Sequence, residues 1–252
     1  GPAHGRNVLL REARGEYLHF HDADDWFSPK WAKAVRPLLD TELCDAVFTE
    51  VSSHRDGICV CEKVVGLSSL KKDSDLVRFC IRRFMLVPTG TYHRKTLEAI
   101  GGYREDLWQS EDYDFHVRLA NSGIRYLVLD EPLVHIFLRS ESRSQNLKET
   151  HRDALKAIRR LATELSTKYR PDLSEKAACL GSSLFQFGHR DRARAAFLLA
   201  HSLGPPFFEY QRSSYRMIAR LFGQETAEHV ALLYRRFKLS LKGAAEFCQR
   251  FF

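Results

Sequence analysis

Three of the four residues Asp22-Ala23-Asp24-Asp25 are carboxylates, and they follow directly on the apolar run Tyr17-Leu18-His19-Phe20. Hard oxygen ligands in that position suit Mg²⁺ or Mn²⁺, and a divalent cation there can neutralise a nucleotide diphosphate as it departs. An acidic turn that caps a helix would use the same residue types. A second acidic pair, Glu111-Asp112, precedes apolar residues at Phe115, Val117, Leu119 and Ala120. A carboxylate at such a helix start can take the proton from an attacking hydroxyl, or it can simply complement the helix dipole. Arg139 with Ser140, Ser142 and Ser144 offers a guanidinium and hydroxyls able to grip phosphate oxygens. The alternative there is a solvated polar loop. His135 lies four residues before Arg139, on the same face of an alternating strand. It reads as a metal ligand or, by the ordinary expectation for a lone histidine, as a structural one.

The elements that must hold these groups alternate. Before about residue 145, short apolar runs expected to be strands are interleaved with amphipathic helical stretches, the pattern of an α/β domain. Pro29 is expected in the first turn of a helix reaching Leu39. Residues 46–51 and 58–65 read as a hairpin about Asp56-Gly57. Helices are expected over 95–100, stopped by Gly101-Gly102, and over 111–121, closed by Gly123. Two separate strands, 125–129 and 133–138, are expected on either side of Pro132. If the first run is a strand, Asp22–Asp25 project from the carboxyl edge of an open sheet, where ligands of such folds bind. After about residue 145 the periodicity is helical throughout, with helices expected over 175–187, 191–203, 210–221 and 225–237. The stretch from Gly188 to Phe197 resembles the second helix of a tetratricopeptide repeat, although a solenoid needs about three repeats.

Several segments in fixed order resemble glycosyltransferase family 2. They are Asn7, Ala13-Arg14-Gly15-Glu16-Tyr17-Leu18, Phe20-His21-Asp22-Ala23-Asp24-Asp25 with Pro29, Thr91 to Lys95, Ile100-Gly101-Gly102-Tyr103, Ser110 to Asp114, and Glu131-Pro132-Leu133-Val134. The resemblance covers residues 1–145 and implies part of a GT-A fold, a Rossmann-like mixed sheet, followed by an all-α tail over residues 146–252. It implies one in-line displacement at an anomeric carbon, with inversion, from a nucleotide-sugar donor of the UDP-linked kind to a hydroxyl of a glycan or lipid-linked saccharide. By resemblance Asp22 contacts the nucleotide side of the donor, Asp24 ligates Mn²⁺ or Mg²⁺ and Asp25 supports them. Asp112 is the general base, with Glu111 beside it. Arg139 stands where many members carry a metal-ligating His, and its charge would then bind the leaving diphosphate. The family's opening strand and a further βαβ unit would precede residue 1. The implied setting is cell-envelope polysaccharide synthesis, cytoplasmic or peripheral at the inner membrane face.

The net charge of +7 rewards nucleic acid, an anionic membrane or a phosphorylated substrate equally. No aromatic and basic residues interleave as a base-stacking platform, so nucleic acid is not an expected partner. The basic tail reads as a solvated cap or as a docking surface for acceptor or membrane. Six cysteines lack CxxC spacing and are expected as reduced, mostly buried thiols. Two other functions stay open: a nucleotidyltransferase of related fold, and a non-catalytic binding fragment.

Overall fold

The computed structural model describes residues 1–41, 44–70, 74–139, 147–205 and 213–234. The chain divides into two compact units, Gly1–Tyr169 and Arg170–Phe252.

The first unit is a six-stranded mixed sheet with helices. It opens with α1 (Pro2–Glu12), β1 (Tyr17–His19), β2 (Trp26–Phe27) and α2 (Trp31–Leu39). Next come β3 (Ala46–Arg55), β4 (Ile58–Cys61), α3 (Leu76–Arg82), β5 (Gly90–His93) and α4 (Arg94–Ala99). It ends with α5 (Glu111–Asn121), β6 (Tyr126–Phe137) and α6 (Leu147–Glu164). The strand order is β1-β5-β3-β6-β2, with β4 added to β3. β3 and β6 are parallel and every other pair is antiparallel.

Side-chain alternation along β3 serves both faces of the sheet. Val47 packs with Val35, Cys44 and Leu133 beneath α2. Its neighbour Phe48 turns the other way, edge-on to Tyr92, which meets Phe115 of α5. Tyr103 stacks on Phe115 at 4.2 Å and Phe20 stands edge-on to Tyr103, so the end of β1 is locked to the helix that carries the second acidic pair.

Several local expectations change. The two strands expected around Pro132 are one strand, β6, because the register slips from Thr49↔Leu129 to Glu50↔Pro132 and extrudes Asp130 and Glu131. A bulge tolerates a proline that cannot donate to the ladder. Pro29 lies ahead of its helix rather than in the first turn: Ser28 is tied to Leu133 O and Trp31 to Ser28 O, so α2 starts at Trp31 and encloses Pro37 instead. The hairpin turn does sit at Asp56-Gly57, both in the left-handed region at φ 51° and 79°. Helices α1 and α3 add to the expected elements; α1 buries only Ala3, Arg6 and Leu10, whereas α3 is short and buries Leu76, Val77, Phe79, Cys80 and Ile81. The compact units separate at Tyr169, so α6 belongs with the sheet rather than with the tail. Of the cysteines described, Cys44 and Cys80 are buried, whereas Cys59 and Cys61 are exposed on β4.

The second unit is helical: α7 (Arg170–Gln186), α8 (Arg190–Leu203), α9 (Ser213–Phe222) and a helix over residues 224–234. A Cβ on Gly181 of α7 would come within 2.5 Å of the Phe197 ring, so the glycine lets α7 and α8 approach closely. Ser174 caps the far end of α8 by donating to Ala200 O and Gly204 O. Among the described residues no helix is long and apolar enough to cross a membrane.

Candidate active site

The two acidic clusters, far apart in sequence, converge on one buried cation. Arg6 of α1 donates from Nη1 to Glu111 Oε1 at 2.6 Å and from Nη2 to Asp22 Oδ1 at 3.4 Å. It is only 8% exposed. This residue was absent from the expected site, because a single Arg on an otherwise ordinary helix gives no sequence signal of what it will face.

The Asp22–Asp25 turn hangs from the carboxyl ends of β1 and β6. Asp25 N–H closes it on Asp22 O at 3.1 Å, and β2 returns along β6 with Trp26 opposite His135. The side chains of Asp22 and Asp24 stay about half in water, at 52% and 44% exposure. Asp24 has a loose partner in Arg139, whose Nε lies 3.7 Å from Asp24 Oδ2. Asp25 turns inward and accepts from Phe137 N–H at 3.4 Å. Burial, reinforced by Asp22 and Asp24, pushes its pKa up to about 6.

The Glu111-Asp112 pair starts α5 under tighter control. Ser110, ahead of it, has a left-handed φ of 59°. Asp153 of α6 accepts from Trp108 and Gln109 N–H at 2.8 and 3.0 Å, which holds the approach to the helix. Asn7 clamps Tyr103 by two 2.8 Å hydrogen bonds, one to its carbonyl and one from its N–H. One turn into α5, the fully buried Asp114 lies between Arg104 and Arg118, and Arg118 also donates to Ile100 O and Gly102 O. The Gly-Gly turn, the clamp and the helix are thus one hydrogen-bonded assembly.

Glu111 is buried and paired with Arg6, while Asp112 is partly exposed. Burial, followed by the adjacent Glu111 charge, pushes Asp112 up to about 7. Its carboxylate accepts from Tyr113 N–H at 2.8 Å. Its carbonyl accepts from His116 Nδ1 at 2.7 Å, and His116 Nε2 accepts from Tyr92 O–H at 2.8 Å. Burial brings His116 down to about 4, so it stays neutral with its proton on Nδ1.

His135 stands apart from the carboxylates. Its Nδ1 is 2.6 Å from Ser52 Oγ, which also meets His54 Nε2 at 2.9 Å. Among the described residues no group of three or more His, Cys, Asp or Glu is gathered to hold a metal. Ser140, Ser142 and Ser144 lie outside the described residues. At the opposite end of the sheet, Glu16, Tyr17, Asp45, His93 and Arg125 line an open groove of about 570 Å³ that none of these carboxylates reaches.

Residues 1–100 match the family model described as Glycosyl transferase family 2. A curated relative is the poly(ribitol-phosphate) beta-N-acetylglucosaminyltransferase TarS of Staphylococcus aureus strain Mu50. It is 25% identical over 205 residues, which are 80% of this chain and 32% of TarS. The chain therefore spans about a third of the length of the curated relatives it matches. The crystal structure of S. aureus TarS 1-349 in complex with UDP-GlcNAc superposes with a TM-score of 0.61 at 18% identity, covering 94% of this chain and 72% of that one. A second crystal structure of S. aureus TarS 1-349 gives 0.57 at 19% identity, covering 94% of this chain and 71% of that one. These likenesses establish the GT-A fold expected from the ordered motifs.

Proposed function

We propose, from a GT-A fold and a family 2 glycosyl transferase segment as premises, that this chain forms the acceptor side and metal-binding edge of an inverting glycosyltransferase. One observation carries the reading: at the carboxyl end of the sheet, Arg6 joins the half-hydrated Asp22 of the first acidic cluster to the buried Glu111 of the second. The donor is a sugar nucleotide, and a UDP-sugar is the class named with the TarS structure. The acceptor is a hydroxyl of a glycan or a polyol-phosphate polymer. The TarS name specifies a beta product, and a beta product from an alpha-linked sugar nucleotide requires inversion.

Asp22 and Asp24 fit Mn²⁺ or Mg²⁺ by chemistry, since such ions retain water and take one or two carboxylates plus substrate phosphate oxygens. That preference accords with the lack, among the described residues, of a gathered set of three protein ligands. When bound, the cation supplies charge neutralisation to the diphosphate. His135 is a second-rank ligand in this reading because Ser52 and His54 already occupy its surroundings. Arg139, exposed and near Asp24, supplies positive charge toward the diphosphate. Asp112 takes the acceptor proton: its pKa of about 7 matches a base working near neutral pH, and its partial exposure leaves a hydroxyl room to approach.

The test uses the intact protein carrying this chain. A UDP-sugar should bind only with Mn²⁺ or Mg²⁺ present, and turnover with an acceptor should release the nucleoside diphosphate. Release of pyrophosphate instead would make it a nucleotidyltransferase. Donor binding with no turnover on any hydroxyl acceptor would leave a binding module.

For the second unit we propose contact with an anionic membrane surface. Residues 170–252 hold 13 Lys and Arg against 7 Asp and Glu, which is +6 of the chain's +7. On α9, Arg216, Met217, Arg220 and Leu221 share an exposed stripe, basic and apolar together. Interfacial helices pair those two properties. Co-sedimentation with anionic vesicles should weaken with added salt, and salt-independent or absent binding would reduce the unit to a solvated cap.

A further inference from the structure

Arg6 contributes no group to the chemistry proposed above, yet it is the cation placed between the two acidic clusters. Burying a guanidinium is costly unless it is paired, and Glu111, itself buried, is its short partner at 2.6 Å. The second contact, to Asp22 at 3.4 Å, runs to a half-exposed carboxylate and is the weaker of the two. The guanidinium also sits over the Tyr103 ring, 5.4 Å from its centroid, so its position is set by the same aromatic stack that locks β1 to α5.

We propose that Arg6 is the positioning residue of the acid pair: its guanidinium grips Glu111 beside Asp112 and fastens that pair to the donor-side turn. This deepens the glycosyltransferase reading and rests on Asp112 as its base. Burial, followed by the adjacent Glu111, raises the pKa of Asp112, and the Arg6 charge opposes that rise. Without Arg6, Glu111 loses the cation that compensates its burial. Asp112 in turn loses a positive charge that favours its carboxylate, so it releases its proton only at higher pH.

The groups facing the pair come from every element around it. Arg6 comes from α1 and Asp22 from the turn after β1. Tyr92 comes from β5, Tyr103 from the turn after α4, and His116 lies within α5. Burial raises both tyrosines far above their ordinary range and lowers His116, so all three are neutral near pH 7. Arg6 is thus the cation among these neighbours, which is why its removal should be read as a change in proton uptake.

The experiment is a set of pH–rate profiles on the intact protein, with donor affinity measured separately. Arg6→Gln should move the acidic limb of kcat upward by about one pH unit, a roughly tenfold loss on that limb that is recovered at alkaline pH. Arg6→Lys should restore much of the wild-type limb. Glu111→Gln should move the limb downward, and Arg6→Gln/Glu111→Gln should follow Glu111→Gln. The protonated-carboxyl infrared band, titrated without substrate, should shift in the same directions and reads the pair independently of turnover. A loss in Arg6→Gln that is equal at every pH, or a limb that Glu111→Gln does not move, overturns the proposal. If Arg6→Gln does not fold, Arg6→Lys and Glu111→Gln still decide it. Wild-type turnover in Asp112→Asn would sink the base assignment itself, whereas an inactive Asp112→Asn with unmoved limbs in the Arg6 and Glu111 variants would sink only the role of Arg6.

Discussion

The two acidic clusters are built on opposite principles. In the Asp22–Asp25 turn, Asp22 and Asp24 remain about half exposed and their nearest cations are 3.4 and 3.7 Å away. At the start of α5, Glu111 and Asp114 are buried against arginines at 2.6 to 2.8 Å, and Asp112 is left as the one carboxylate of the three without an arginine partner. Hydrated carboxylates lose little when a cation and a diphosphate replace their water, so they suit ligand exchange. A desolvated carboxylate resists ionisation and so holds a proton near neutral pH, which suits proton transfer. The difference supports the proposal that the first cluster binds and the second handles the proton, although both contain the same side chain.

The comparison breaks most decisively at Asp112. Asp112→Asn keeps the shape and removes the proton acceptor, so turnover should fall roughly 10²- to 10⁴-fold with donor affinity nearly unchanged. Steady-state kinetics beside donor calorimetry checks this, and unchanged turnover would return the acidic pair to a helix-capping role. Glu111→Gln should cost less, because Asp112 remains.

Asp114 tests whether every buried carboxylate of α5 is structural except one. Asp114→Ala leaves Arg104 and Arg118 facing a cavity, and breaking such buried pairs costs about 3–5 kcal/mol. Arg104 keeps its contacts with Glu164, so the lower end is expected. Chemical denaturation should register the loss.

In the exposed cluster the same substitution should leave the fold intact. Asp24→Ala should cost at least the ~10- to 100-fold in metal affinity that even outer-shell losses cause. Its unfolding midpoint should stay within the range of ordinary surface changes, about ±0.5 kcal/mol. Metal-dependent donor binding that survives in Asp24→Ala would remove the contrast between the clusters.

The last effect is one of pH and stability. Asp112 has a folded pKa raised to about 7, above its ordinary value of 3.8, so folding favours its neutral form. Its stabilising contribution is therefore complete below about pH 4 and is lost as pH rises through 7. Asp112→Asn, always neutral, should melt above wild type at pH 8, with the gap closing toward pH 4. An unchanged gap across that range would mean that Asp112 is not desolvated.

Wherever local chemistry dominates, the sequence alone was sufficient. Gly101-Gly102, Gly123 and Asp56-Gly57 mark turns that follow from backbone conformation, and α5 starts at Glu111 and ends at Asn121 as its spacing requires. The acidic turn after the first strand, and the order of segments that identifies the fold, were likewise present in the letters. Non-local pairing decided the rest. Parallel pairing with β3 makes one strand of the two halves around Pro132, and contacts with α5 draw α6 into the sheet unit. Which of Glu111, Asp112 and Asp114 stays chemically available depends on where Arg6, Arg104 and Arg118 end up, and those arginines come from three separate segments. A carboxylate's type is written in the sequence, but its proton affinity depends on water excluded and charge brought near by residues remote in the chain, and only the folded structure determines those.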